Sequence, residues 1–266
     1  MKRILLLFLV IAGAAAIYYI LKNMASAKHV ADKAHDDLSL LFRGEKDSFE
    51  LNDGSSLEIY SIKHGSLAIN VAGKWIYVDP VTSAALPETD FLVLPKADYI
   101  LFTHNHYDHF DAVAISQLRA ENTRIFANET TINELGFGTP LCNGDTATTA
   151  EGWIIEAVPA YNNSTEKLQF HPKGRDNGYV LTIAGLRIYI AGDTEVIPEL
   201  ALLKDIDIAF LPCNLPYTMS PEQCATAVET VSPKVLFPYH YGDTDLEYLV
   251  ELLRDSGIEV RIRQYA

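Results

Sequence analysis

One string of nine residues restricts this chain more than any other: Thr103-His104-Asn105-His106-Tyr107-Asp108-His109-Phe110-Asp111, directly behind an apolar run over residues 99–102. Three of the eight histidines fall within six residues there. Imidazole nitrogens and carboxylate oxygens are borderline ligands suited to zinc and neighbouring divalent metals. A turn behind a strand can direct His104 and His106 to one point and Asp108 and His109 to another, so two metal positions are expected. The competing reading is a solvated loop that happens to be rich in histidine.

The remainder of the chain is consistent with an enzyme-sized domain. At 266 residues it can bury a sizeable core, and one large α/β domain suits that length better than two small ones. With 48% hydrophobic and 21% charged residues, it is composed like a globular protein and unlike a disordered one. The formal net charge is −14, and no basic run occurs after the first 27 residues. Binding to nucleic acid depends on Lys and Arg neutralising phosphates, so no nucleic-acid partner is expected. Three cysteines without a Cys-x-x-Cys spacing signal neither a disulfide framework nor a thiolate zinc site.

At the N-terminus, Lys2-Arg3 precede eighteen uninterrupted apolar residues, 4–21. That is just long enough to span a bilayer, yet Ala25-Ser26-Ala27 behind it has the small-x-small form of a signal-peptidase site. Residues 1–27 therefore read as a signal peptide or a membrane anchor, with the membrane as partner and an exported or membrane-anchored location. Residues 28–48 are polar and charged and read as a linker, with the folded domain over 49–266.

Within that domain, short β-rich runs open the chain at residues 57–62, 66–71 and 74–78, the last two joined by Ala72-Gly73 as a hairpin. Strands over 99–103, 124–127, 206–211 and 234–238 then alternate with helical stretches, which is an α/β pattern. Ser220-Pro221-Glu222-Gln223 opens one helix as a capping box with Pro at its first position, and Thr244-Asp245-Leu246-Glu247 opens the last. No repeat of fixed period is visible. Hairpin-then-helix order in both halves suits two stacked sheets with helices outside.

The His104-x-His106-x-Asp108-His109 string resembles the signature of the metallo-β-lactamase superfamily, and the resemblance extends over roughly residues 56–242. It implies an αββα four-layer sandwich and a binuclear metal-dependent hydrolase. It implies two divalent ions, zinc first, with Mn2+ or Fe2+ as alternatives. Asp193, in Gly192-Asp193-Thr194 behind an apolar strand, resembles the bridging aspartate, and His240 resembles the last ligand of the second metal. His171 is the one histidine between the cluster and Asp193, and it is the candidate to complete a first site with His104 and His106; the alternative is a loop histidine. His109 and His240 would hold the second cation, and Asp108 would ligate one metal and hold or accept the proton of the nucleophile. Asp79 is expected to orient a ligand histidine by accepting its second N–H, with Asp111 as a candidate for the same task. His64 either touches substrate or caps a turn. Cys213, Asn214 and Tyr217 are expected beside the metals.

The resemblance leaves the substrate open among small-molecule or lipid-like esters, lactones and phosphodiesters, since the fold hosts many reactions and its loops decide. A second class also stays open, a non-catalytic metal-binding envelope protein that retains the fold. Asp108 favours the enzyme, because a structural zinc site closes with four ligands and leaves no open position.

Overall fold

The computed structural model describes residues 46–82 and 90–265. The apolar run over 4–21, the Ala25-Ser26-Ala27 string and most of the expected linker lie outside the described residues. Among those described, no helix is long and apolar enough to cross a membrane.

Two seven-stranded mixed sheets make up the fold. The first contains β1 (Lys46–Glu50), β2 (Ser56–Lys63), β3 (Ser66–Val71), β4 (Lys74–Val78), β5 (Tyr99–Phe102), β6 (Arg124–Ala127) and β7 (Thr139–Pro140), paired in chain order. The second contains β8 (Thr146–Thr148), β9 (Ile154–Ala160), β10 (Asp176–Ile183), β11 (Leu186–Ile190), β12 (Ile208–Pro212), β13 (Val235–Tyr239) and β14 (Glu259–Val260), again in chain order. Each sheet opens as an antiparallel meander and ends in four parallel strands, β4 to β7 in one and β11 to β14 in the other. The two halves thus share one plan without sharing a sequence period. β1 begins at Lys46, inside the segment expected as tether, because all five of its residues pair with β2 at the sheet edge.

Local chemistry explains the elements. The β3–β4 turn places Ala72 at φ 50° and Gly73 at φ 81°, and the β10–β11 turn places Ala184 at 46° and Gly185 at 89°. Two consecutive positive φ angles make the two-residue turn whose twist matches paired strands. Strands β12 and β13 are buried on both faces, which is why Ile208–Pro212 and Val235–Tyr239 read as continuous apolar runs rather than alternating ones. Crossovers between parallel strands carry α1 (Ala112–Leu118), α2 (Glu129–Leu135) and α3 (Pro221–Val231), and α4 (Leu246–Leu252) precedes β14. The expected capping box at Ser220 and Gln223 is formed, and Asp245 caps α4.

Side chains from both sheets, among them Ile69, Leu101, Tyr179, Ile190 and Phe237, form the inner core. A second core of Val180, Tyr189, Leu211, Cys213 and Val228 lies between the outer face of the second sheet and its helices. Cys213, expected beside the metals, belongs to this outer core and is fully buried there, since alternation along the chain end of β12 turns it away from the site.

Candidate metal centre

The candidate residues gather beyond the C-terminal ends of the parallel strands, where open α/β sheets leave a crevice. β4 delivers Asp79, β5 the His104–His109 string, β11 Asp193 and β13 His240. The β2–β3 turn adds His64 from the antiparallel side. Three of these residues hold left-handed backbone, His64 at φ 48°, Asp79 at 44° and His240 at 48°. Non-glycine residues in that region cost energy and persist where the surroundings impose them, a pattern concentrated at functional sites.

Two main donor groups result, overlapped by a third set of His104, His109 and Asp193. His104, His106 and His171 form one, with ring centroids 4.6–4.8 Å apart. His64, Asp108, His109 and His240 form the other, and within each group the donor atoms lie within 4.8 Å of one another. Asp193 stands between them. Its Oδ2 is 3.4 Å from His171 Nε2 and 3.2 Å from His240 Nε2, while Oδ1 is 3.3 Å from His109 Nε2. His171 therefore stands with the three-histidine group, and all seven sequence candidates meet in one place.

The outward faces of these side chains are held by the protein. His109 Nδ1 is 2.8 Å from Asp79 Oδ2, and Thr103 donates its hydroxyl to the same oxygen at 2.6 Å and its N–H to Oδ1 at 2.7 Å. His104 Nδ1 lies 3.0 Å from Thr103 Oγ1, so Asp79 orients His109 directly and His104 through Thr103. His171 Nδ1 is 3.0 Å from Asp176 Oδ2, and Arg175 clasps the other oxygen of Asp176 at 2.7 Å. Arg175 Nη2 also lies 3.4 Å from His106 Nε2, a contact in which only the guanidinium can donate. Asp111, a candidate for orienting a histidine, does something else: it bonds Thr82 and caps α1 by accepting from Val113 N–H at 2.7 Å. Thr103, Arg175 and Asp176 were not singled out from sequence. Only their nearness in space marks them.

The donor set fits divalent cations. Among the described residues His104 Nε2, His109 Nε2, His240 Nε2 and Asp193 Oδ1 are buried without a hydrogen-bond partner. Polar atoms buried in that way are costly unless something polar meets them. The electrostatics agree. Burial pulls the His171 imidazole down, but Asp176 and Asp193 hold it up at about 9, and against the same burial Asp193 and Asp108 hold His240 up at about 10. Burial would raise the Asp193 carboxyl, yet His240 and His109 keep it well below the usual range. Buried carboxylates here favour positive charge between the imidazoles, whether a proton or a cation carries it.

Upstream of His171 stand two asparagines, Asn162 and Asn163. Asn162 donates to the Tyr217 carbonyl at 2.9 Å, and the N–H groups of Asn163 and Ser164 donate to Glu195 at 2.8 and 2.7 Å. They pin the loop that carries His171. A cavity of about 550 Å³ opens over the two groups, walled by Phe170, Tyr217, Asn214, Tyr107 and Asn105. That size suits a small organic ligand. Phe170 and Tyr217 meet edge to face with centroids 5.3 Å apart.

Comparison with known proteins agrees with this geometry. Residues 58–240 match the Beta-lactamase superfamily domain. A UPF0173 metal-dependent hydrolase of Lysinibacillus sphaericus is 30% identical over 219 residues, covering 77% of this chain and 96% of the relative. Another from Thermococcus onnurineus is 36% identical over 192 residues, covering 67% and 82%. A crystal structure from Parabacteroides distasonis, of a protein assigned to the metal-dependent hydrolases, superposes with a TM-score of 0.81 at 52% identity, covering 84% of this chain and all of that one. With the sandwich, the two donor groups and these relatives in agreement, the chain belongs to the metallo-β-lactamase superfamily, among its metal-dependent hydrolases.

Proposed function

We propose that this hydrolase works with two divalent cations, zinc first among them, on a small-molecule or lipid-like ester, lactone or phosphodiester. The observation that carries the reading is the position of Asp193, whose carboxylate faces His171 of one donor group and His109 and His240 of the other. A carboxylate shared by two imidazole clusters suits a pair of metals better than one closed structural site. His104, His106 and His171 would hold one cation, Asp108, His109 and His240 the other, with Asp193 common to both.

Bound cations would supply Lewis acidity, lowering the pKa of water and polarising the scissile carbonyl or phosphoryl group. The chain does the rest. Asp79, Thr103 and Asp176 keep the ligand imidazoles turned inward. Asp108, half-buried, lines the cavity and is placed to hold the proton of the attacking water at its carboxylate. Phe170 and Tyr217 offer apolar faces to the substrate, and the side-chain amide of Asn214 offers it hydrogen bonds. The apolar run over residues 4–21 supports an exported or membrane-anchored enzyme.

The test is metal content and turnover of the purified full chain against a panel of esters, lactones and phosphodiesters. About two equivalents of metal are expected, with fewer in Asp193→Asn, and turnover falling in that variant by about 100-fold or more. Wild-type protein that takes up no more than one equivalent under replete conditions overturns the two-metal reading.

A further inference from the structure

Three of the donor imidazoles have a polar anchor behind them: Asp79 for His109, Thr103 for His104 and Asp176 for His171. Asp108 lies in the turn between His106 and His109, half-buried at the cavity wall, and its anchor comes from elsewhere in the chain. We propose that His64 is a positioning residue that holds Asp108 in place for the second metal position. This rests on the two-cation reading above.

The geometry is specific. His64 Nε2 lies 3.1 Å from Asp108 Oδ2, within hydrogen-bond distance, with the imidazole N–H as donor. Using Nε2 for that bond commits this nitrogen to the carboxylate, and the Asp108 Oδ2 that it holds stands 3.8 Å from His240 Nε2 of the same donor group. The imidazole is itself held tightly. Its ring lies over that of His240 with centroids 3.7 Å apart, and the His64 carbonyl accepts the His240 N–H at 3.1 Å. Both residues hold left-handed backbone, so two strained turns from the two different sheets are joined at this point. The next residue, Gly65, lets the turn come this close, because a Cβ there would stand 2.8 Å from His109 Cε1. The β2–β3 hairpin thereby orders a ligand that the histidine-rich loop supplies.

Two substitutions test this in the full chain. His64→Asn tolerates the left-handed backbone but is too short to reach Asp108, whereas His64→Gln places an amide N–H near the original Nε2. Apo protein is titrated with Zn2+ by calorimetry, and with Co2+ by its visible absorption, which reports the coordination of each equivalent. The expected result is an unchanged first equivalent in His64→Asn, a second equivalent weakened by about 10- to 100-fold with an altered cobalt spectrum, and substantial recovery in His64→Gln. A His64→Asn variant that is folded by circular dichroism and binds both equivalents as wild type does overturns the proposal while leaving the two-cation reading intact. Equal losses in Asn and Gln also overturn it, since the N–H would then not be what matters. A wild-type chain that binds one equivalent overturns the two-cation reading, and this proposal with it.

Discussion

Asp79 Oδ2 stands 2.8 Å from His109 Nδ1, with both side chains wholly buried. The same carboxylate takes the Thr103 hydroxyl that in turn faces His104, so one acid orients a histidine of each donor group. In Asp79→Asn the amide can accept only at its oxygen, so its NH2 must face either the Thr103 N–H or the Thr103 hydroxyl and His109 Nδ1, donors that all need an acceptor. Metal affinity is expected to fall by about 10- to 100-fold at both positions. Stability should drop by about 1.5–3 kcal/mol for the lost charge-assisted bonding. Metal titration and urea unfolding read the two effects separately; a loss confined to one equivalent contradicts the shared role of Asp79.

Removing metal should destabilise the fold as well as stop turnover. Free cation at about 100 times its dissociation constant stabilises a protein by about 2.7 kcal/mol per independent site, so a chelator should lower the melting temperature and divalent metal should restore it. An identical melt with and without chelator would mean that the donor cluster binds no cation appreciably.

Gly65→Ala probes packing rather than charge. The added Cβ meets His109 Cε1 at 2.8 Å, and Asp79 prevents the ring from moving aside. Overpacking of that kind costs about 1–3 kcal/mol, and uptake of the second cation should fall with it. Gly73→Ala is the control, since its Cβ meets nothing within 4 Å although its φ of 81° strains any side chain. It should lower stability while leaving metal uptake at the wild-type level.

Lys167→Met should loosen the loop that carries His171. Lys167 Nζ is 2.8 Å from Glu195 Oε1 and donates to the Thr218 carbonyl at 2.7 Å, and both side chains are buried. Breaking a buried pair from one side costs about 3–5 kcal/mol, and the bonds Glu195 keeps from Asn163 and Ser164 place the expected loss near the low end. Chemical denaturation measures it. An unfolding free energy within about 1 kcal/mol of wild type would show that the pair does not hold the loop.

Asp111→Ala separates a neighbour of the motif from the site itself. Asp111 caps α1 and bonds Thr82, so its loss should cost about 1–2 kcal/mol with metal stoichiometry unchanged. Reduced stoichiometry in that variant would restore Asp111 to the ligand-orienting role that its place in the string suggested.

What could be read in advance had a local cause. The hairpin at Ala72-Gly73 and the capping box at Ser220 depend on residues within four positions of one another, and the structure contains both. Strands β3, β4 and β6 begin and end where turn residues marked them. The His104–His109 string was legible because one turn supplies most of the donors. His171 was reached only as the remaining histidine. Arg175 and Asp176 were not found at all, since an Arg-Asp pair before a strand looks like any solvated turn until the fold sets it behind an imidazole.

The sequence by itself determined the fold class, the position of several strands and the chemical nature of the site, because periodicity, turn chemistry and ligand spacing act over a few residues. Tertiary structure alone decided that Asp193 stands between two donor groups, that Asp79 serves both, that Asp111 serves neither, and that His64 reaches Asp108 across 44 positions of chain. Those relationships arise where the ends of parallel strands from two sheets converge, and no local pattern encodes a distance between segments so far apart in the chain.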